Sequence, residues 1–574
     1  MKKFILPILI TLVYHTGMAQ TINWVKNMEG VRNCEGHSIA LDAAGNVYTT
    51  GYFDSIMDFD PGPGTYTLAS AGGNEIFISK LNANGGFVWA KSFGGLNGNG
   101  AGDVIKIDHS GNIIIAGLFY GSIDFDPGAG TQTVNAVNGD MFVLKLNSSG
   151  NYIWAKSMGG PGYTEGKSIS IDPSNNVLIT GHFTSTADFD PGTGVYMLTE
   201  GNINGHGDTF IMKLDSAGNF NWANRFGINE ISMSSDVATD NSGNVYTTGY
   251  YKGLLDFDPG AGSYVLSSPS HANAFILKLD GSGQFQWAKQ FGDTTVECFG
   301  NGIAVDYNNN VYTTGYFSGT KDFDPGSGTY LLTAPGTDLY ISKLDNAGNF
   351  VWAKNTSATY GVGQSIGLDN LNNLYIIGKY VGSSDIDSGP GTYMFSNVQP
   401  TTLPIPGIFF LKVGFSGLVK AAVVVGPGWS EQGMGVAVDA TGNVHATGYF
   451  QGSNGVVDFD IGPLTYTLNS TDRNTNFILK LKPMGNTVGM EELSNNPSDA
   501  LIVYPNPNNG SFVVHAEENM KLHLINNLGE ILQNIEIKKE VNQTIHLETI
   551  SSGIYFLVSQ GTTRSVKQKI IVTR

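Results

Sequence analysis

The chain has 574 residues, 14% of them charged, with 76 glycines and 11% aromatics, a composition that fits an all-β protein with many tight turns. Two cysteines, Cys34 and Cys298, are too few for a disulfide framework, so an apolar core must hold the fold. The formal charge is −18; Lys2 and Lys3 contribute +2 and residues 500–574 contribute +1, which leaves −21 on residues 21–499. Such a surface repels phosphates and anionic membranes, and nucleic acid is excluded as a partner.

The first element in chain order is a targeting segment. Lys2 and Lys3 form a basic start, Phe4 to Tyr14 an apolar run, and Gly17 and Ala19 the small residues before a cleavage point. This is the pattern of a signal peptide over 1–19, cleaved before Gln20. The apolar run is too short to span a bilayer, and no later segment reads as a transmembrane helix.

A unit of roughly 66 residues then recurs. Its clearest mark is Asp-Phe-Asp-Pro-Gly, beginning at Asp58, Asp124, Asp188, Asp256 and Asp322, with degenerate copies at Asp385 and Asp458. A second mark is Trp-Ala-Lys or a close variant, at Trp89, Trp154, Trp222, Trp287 and Trp352; Trp24 is a sixth member, and near Ala421 the tryptophan is lost. The first unit predicts four strands, Ser38–Asp42, Val47–Phe53, Ile76–Leu81 and Phe87–Lys91. They are rich in β-branched and aromatic residues and separated by Gly/Asn/Asp turns. Four strands repeated seven times is the pattern of propeller blades. The third-strand type, Phe-Ile-Leu-Lys, ends at Phe477–Lys480 with no Trp strand after it, whereas Trp24 stands on a Trp strand with nothing before it. The N-terminal strand is therefore expected to complete the last blade as its outermost strand. The predicted fold is all-β: a seven-bladed β-propeller over 20–483 closed by the N-terminal strand, a linker over 484–499, and a small C-terminal β-sandwich over 500–574. A monomer is expected.

The repeat resembles the bacterial SBBP-type β-propeller repeat. The stretch Lys213 to Trp222, Lys-Leu-Asp-x-x-Gly-x-x-x-Trp, is similar to the tryptophan-docking motif of pyrroloquinoline-quinone-type propellers. The resemblance covers roughly 21–483 and implies that each Trp locks neighbouring blades. It is specific for fold and silent on activity.

The tail carries Tyr504-Pro505-Asn506-Pro507, a strand containing Gly553 and Tyr555, and a last strand containing Lys567 and Lys569. In that order these segments resemble the C-terminal sorting domain of type IX secretion cargo in Bacteroidota. The resemblance implies export through the periplasm, recognition by the type IX machinery, and a final place outside the cell or on its outer surface.

Loops between the second and third strands, and between the fourth strand and the next blade, are expected to share one face, and such loops usually carry function. In Asp58-Phe59-Asp60 side chains alternate, so both carboxylates point one way. The same holds for Asp124 and Asp126, Asp188 and Asp190, Asp256 and Asp258, Asp322 and Asp324, and Asp458 and Asp460. Two readings stand open. The paired carboxylates hold Ca²⁺, the one cofactor candidate, or they cap backbone N–H groups in the turn. The Asp that ends each first strand, from Asp42 to Asp439, reads as turn chemistry.

No His-Glu-x-x-His, Gly-x-Ser-x-Gly or Cys-x-x-Cys is present, and neither His182 nor His206 has a partner at metal spacing, so no catalytic residue is assigned. Near-identical blades favour binding over catalysis. The expectation is a non-catalytic binding or scaffold protein that recognises an extracellular protein or glycan through its loop-rich face. The alternative is an extracellular enzyme acting on polysaccharide, with a site built across several blades. Blades six and seven depart from the pattern at Ser388, Ile461 and the Val398–Gly407 insertion, and a specific site is expected there.

Overall fold

The computed structural model describes residues 22–484 and 501–572, apart from residues 31, 96, 202–204, 206, 228–230, 292–295, 382, 386–393, 397–406, 426–429, 452–455, 460–465, 470–472, 505–510, 517–518, 526–530, 539–542, 548–552 and 560–566. The expected signal peptide and linker lie outside the described residues, as do Ser388, Ile461 and nearly all of the blade-six insertion. Two compact units divide the chain, Met1–Thr487 and Val488–Arg574.

In the first repeat, Cys34–Leu41, Val47–Phe53, Glu75–Leu81 and Phe87–Phe93 form one antiparallel sheet in chain order. The second and third strands are buried almost throughout, which is why they read as continuous apolar runs. This arrangement recurs along the chain. The last sheet is completed by Ile22–Asn27, which pairs with Thr475–Leu481. Trp24 faces Lys480 there as Trp89 faces Lys80 in the first repeat.

Two features differ from the sequence expectation. The first strand begins at Cys34 rather than Ser38, because a β-bulge at His37 breaks the two-residue alternation that marks a strand. The Asp-Phe-Asp-Pro-Gly segment also sits in a hairpin of its own, formed by Ile56–Asp58 and Thr67–Ala69. Phe59 is fully buried at its base, with its ring 5.3 Å from Phe53 and 5.2 Å from Phe77. Its counterpart Phe323 also reaches Phe291 of the preceding repeat at 5.2 Å.

Neighbouring repeats are joined by a repeated clasp. The indole N–H of Trp222 donates to Gly281 O of the next repeat at 3.3 Å, and the Lys213 ammonium donates to the same oxygen at 3.1 Å. The indole lies over Gly283, whose φ is +84° and where a side chain would strike the ring at 2.9 Å. Lysine makes this contact in every repeat: Lys80 to Ser148, Lys145 to Ser216, Lys278 to Asn346, Lys343 to Phe415 and Lys412 to Met484. Lys480 completes the series by donating to Ala83 of the first repeat at 3.2 Å, and Trp24 joins it at 3.4 Å. Where the tryptophan is replaced by Ala421, Lys412 alone holds the contact, at 2.9 Å. First-strand aspartates pair with four of these lysines, Lys80, Lys145, Lys213 and Lys480, as in Lys213–Asp172 at 2.8 Å. Asp172 also accepts the Ser174 and Asn176 amides, so it closes its turn as well.

Among the described residues, the second unit contains two sheets. One orders Leu501–Tyr504, Ser511–Ala516 and Gln543–His546; the other orders Ile531–Ile537, Met520–Ile525, Gly553–Ser559 and Lys567–Val572. Phe512, Val514, Leu522, Leu557 and Ile570 from both sheets share one apolar cluster with Tyr555. Gly553 opens its strand and Lys567 and Lys569 lie on the last, whereas Pro505, Asn506 and Pro507 fall outside the described residues.

Trp24 is 9% exposed, so its truncation removes a nearly complete aromatic contact. Trp24→Ala is expected to cost about 3 kcal/mol, the lower end for a buried large aromatic. Urea unfolding checks this; an unchanged midpoint would show that the indole contact contributes nothing measurable to stability.

Candidate functional site

Seven first strands stand side by side, each touching the next, and Ser430–Val438 touches Cys34–Leu41. Between them lies a cavity of about 690 Å³. How each strand presents its side chains here depends on one glycine. Gly51 of the second strand leaves room for the Glu35 carbonyl, which would lie 1.8 Å from a Cβ at that position. The same holds at Gly117, Gly181, Gly249, Gly315, Gly378 and Gly448. That close approach accompanies a bulge in every first strand, and the unpaired bulge residue turns toward the cavity. In repeat order these residues are His37, Asp103, Lys167, Ser235, Asn301, Gln364 and Met434. All seven line the cavity. The backbone repeats at this position and the side-chain chemistry does not.

Charge is concentrated on one arc. His37 Nδ1 lies 3.2 Å from Asp103 Oδ1, and His37 Nε2 lies 3.6 Å from Glu35 Oε2. Burial alone would lower the pKa of His37, but hydrogen bonds to Asp103 and Glu35 and their charges outweigh it and raise the pKa to about 9. Glu35 also accepts from Tyr52 Oη and Asn474 Nδ2, both at 2.6 Å. Further round, Lys167 Nζ sits 2.6 Å from Glu165 Oε2, and His182 Nε2 lies 3.8 Å from the same oxygen. Burial, reinforced by the Lys167 charge, pushes His182 down to about 4. Burial and the charge of Asp103 push Glu165 up.

Aromatic rings occupy the next arc. Phe299 packs against Tyr250 at 4.6 Å and stacks on Tyr316 at 4.7 Å. Tyr250 lines the cavity, with the Asn301 amide nearby in its wall.

The paired aspartates of the outer hairpins form a separate feature. Asp58 Oδ1 accepts the amides of Asp60 and Tyr66, and Asp60 Oδ1 accepts that of Gly62. Asp124, Asp188, Asp256 and Asp322 close the same eight-residue loop, and Asp126, Asp190, Asp258 and Asp324 hold the glycine amide that follows. Asp458 accepts Tyr466 N; Asp460 lies outside the described residues. Among the described residues, no group of three or more His, Cys, Asp or Glu is set to hold a metal ion. Cys34 and Cys298 are free and buried.

The bulge residues escaped the sequence reading because repeat motifs direct attention to what recurs. The available signal was the variable residue beside Gly36, Gly102, Gly166, Gly300, Gly363 and Gly433. Its placement in a cavity follows only when the seven strands are set side by side.

Two outcomes test these contacts. The His37 pKa lies above its ordinary 6.5, so protonated His37 stabilises the fold; that contribution is complete below about 6.5 and is lost as pH rises through about 9. The melting temperature is expected to fall across that interval, and His37→Gln to flatten the fall; parallel profiles would contradict the assignment. For the hairpins, Ca²⁺ added after chelation is expected to leave the melting temperature unchanged; a rise of several degrees would establish the cation reading.

Residues 286–320 match the family described as Beta-propeller repeat, and residues 502–573 match the Secretion system C-terminal sorting domain. An uncharacterized WD repeat-containing protein, L264, of Acanthamoeba polyphaga mimivirus is 23% identical over 510 residues, covering 76% of this chain and 36% of that protein. This chain therefore spans little more than a third of that relative's length. The crystal structure of polysaccharide lyase Uly1 aligns at 10% identity with a TM-score of 0.39, over 82% of this chain and 94% of that one. No helix among the described residues is long and apolar enough to cross a membrane. The chain carries a β-propeller repeat and a type IX secretion sorting domain, which marks it for export to the cell surface or the medium and implies an origin in Bacteroidota.

Proposed function

We propose that this chain is an exported seven-bladed propeller, closed by its N-terminal strand, that binds a glycan at the loop-side mouth of its axial cavity. The supporting observation is the set of seven bulge residues: one backbone device, used in every repeat, aims a different side chain at the same space. Blade number and closure rest on the lysine clasp, which runs through seven repeats and returns from Lys480 to Ala83.

Cavity size favours a glycan over a protein. A cavity of about 690 Å³ holds a few sugar rings and is too narrow for a folded partner to enter. Aromatic faces beside amides and carboxylates match sugars, which offer apolar C–H faces and a rim of hydroxyls. At the two histidines binding is favoured over proton transfer, because a proton-transfer group works best with a pKa near the operating pH. His37 is driven up to about 9 and His182 down to about 4, so both hold fixed charge states near neutrality.

A glycan array probed with the full chain is expected to show retention, and Tyr250→Ala is expected to weaken it about tenfold. No retained glycan, or an unaffected Tyr250→Ala variant, would sink the reading.

A further inference from the structure

We propose that the arc formed by Asp103, Glu165, Lys167 and His182 is a subsite for an uncharged sugar residue, which it recognises through two hydroxyl groups that donate to Asp103 Oδ2 and His182 Nδ1. This deepens the glycan-binding reading and rests on it.

Both acceptors are buried atoms with no hydrogen-bond partner among the described residues. The His182 side chain is only 9% exposed, and both His182 and Asp103 line the axial cavity. A buried acceptor without a donor is rare in a folded protein and calls for one from outside the chain. The other atom of each group has a neighbour of its own. Asp103 Oδ1 faces His37 Nδ1 at 3.2 Å, and His182 Nε2 lies on the side of the Glu165 carboxylate. With the proton on Nε2, the nitrogen on the Glu165 side at 3.8 Å, Nδ1 keeps its lone pair and is the acceptor left without a donor. Burial and the neighbouring ammonium keep His182 uncharged, which preserves that lone pair. Tyr163 holds the ring from one side, with centroids 5.3 Å apart.

The surrounding charge selects a neutral ligand. Asp103, Glu165 and Glu35 disfavour a carboxylate or sulfate, and the charge of −21 on residues 21–499 repels anions at longer range. Lys167 and protonated His37 disfavour an ammonium group on the same ligand. A hydroxyl meets neither penalty: it donates to Asp103 or His182, and its oxygen can accept from Lys167, whose side chain is 38% exposed.

The test is isothermal titration of the full chain with three probe classes: neutral glycans (laminarin, xylan, mannan), anionic glycans (polygalacturonate, alginate) and cationic chitosan. At least one neutral glycan is expected to bind, with neither charged class binding as tightly. Asp103→Asn places an amide where an acceptor stood, and His182→Phe keeps the ring against Tyr163 but removes Nδ1. Each is expected to weaken binding about tenfold. If Asp103→Asn fails to fold because the His37 contact is lost, His182→Phe carries the test. Neutral binding that falls in Tyr250→Ala but is unchanged in His182→Phe would overturn the subsite and leave the glycan reading standing. Tighter binding of an anionic or cationic probe would overturn the choice of a neutral sugar. No binding by the unaltered chain in any class would overturn both readings.

Discussion

The contact between each third-strand lysine and the turn carbonyl of the next repeat governs the whole first unit. An ammonium is costly to remove from water unless it gains partners. Here it gains a carbonyl ahead in every repeat, an aspartate behind at Lys80, Lys145, Lys213 and Lys480, and a tyrosine ring in several repeats, as with Lys278 over Tyr246 at 5.0 Å. The indole shares the carbonyl and covers the positive-φ glycine of the turn. Because each clasp joins one repeat to the next, its geometry sets the angle between neighbouring sheets. Lys480 can meet Ala83 only if those angles bring the last repeat back to the first. The repeat six clasp shows that tryptophan can be absent: Ala421 stands in its place and the Lys412 contact remains.

A regular scaffold leaves few places for individuality. Second and third strands are packed on both faces, and hairpin aspartates are engaged with their own loops. The bulge residues are different because no cross-strand partner constrains them. Their glycine neighbours preserve the backbone, so the side chain can change without disturbing the sheet. This separation explains how near-identical repeats can line an asymmetric cavity, with charge on one arc and the Tyr250 ring beyond it.

Much of the architecture was legible in the residues. Asp-Phe-Asp-Pro-Gly and Trp-Ala-Lys spacing revealed the repeat, and the unpaired Trp24 strand pointed to its place beside Phe477. Local patterns also foretold the aspartate turns, since a carboxylate closing its own loop needs only near neighbours. The first-strand boundary was missed for a physical reason: the bulge at His37 breaks the alternation that period-two reading relies on. A specific site was expected at Ser388, Ile461 and the Val398–Gly407 insertion, nearly all of which lie outside the described residues; the charged side chains of the cavity, His37, Asp103, Lys106, Lys167 and Asp236, are a further feature that the repeat motifs do not mark.

The amino-acid sequence by itself determined the repeat, its strands, its turns and the sorting tail, because each depends on residues close together in the chain. Only the tertiary structure decided which side chains share a site. Asp103 meets His37 across 66 positions, and no spacing rule encodes that meeting. It follows from the rotation between successive sheets, which the clasps set and which brings one residue from each repeat to the same axis.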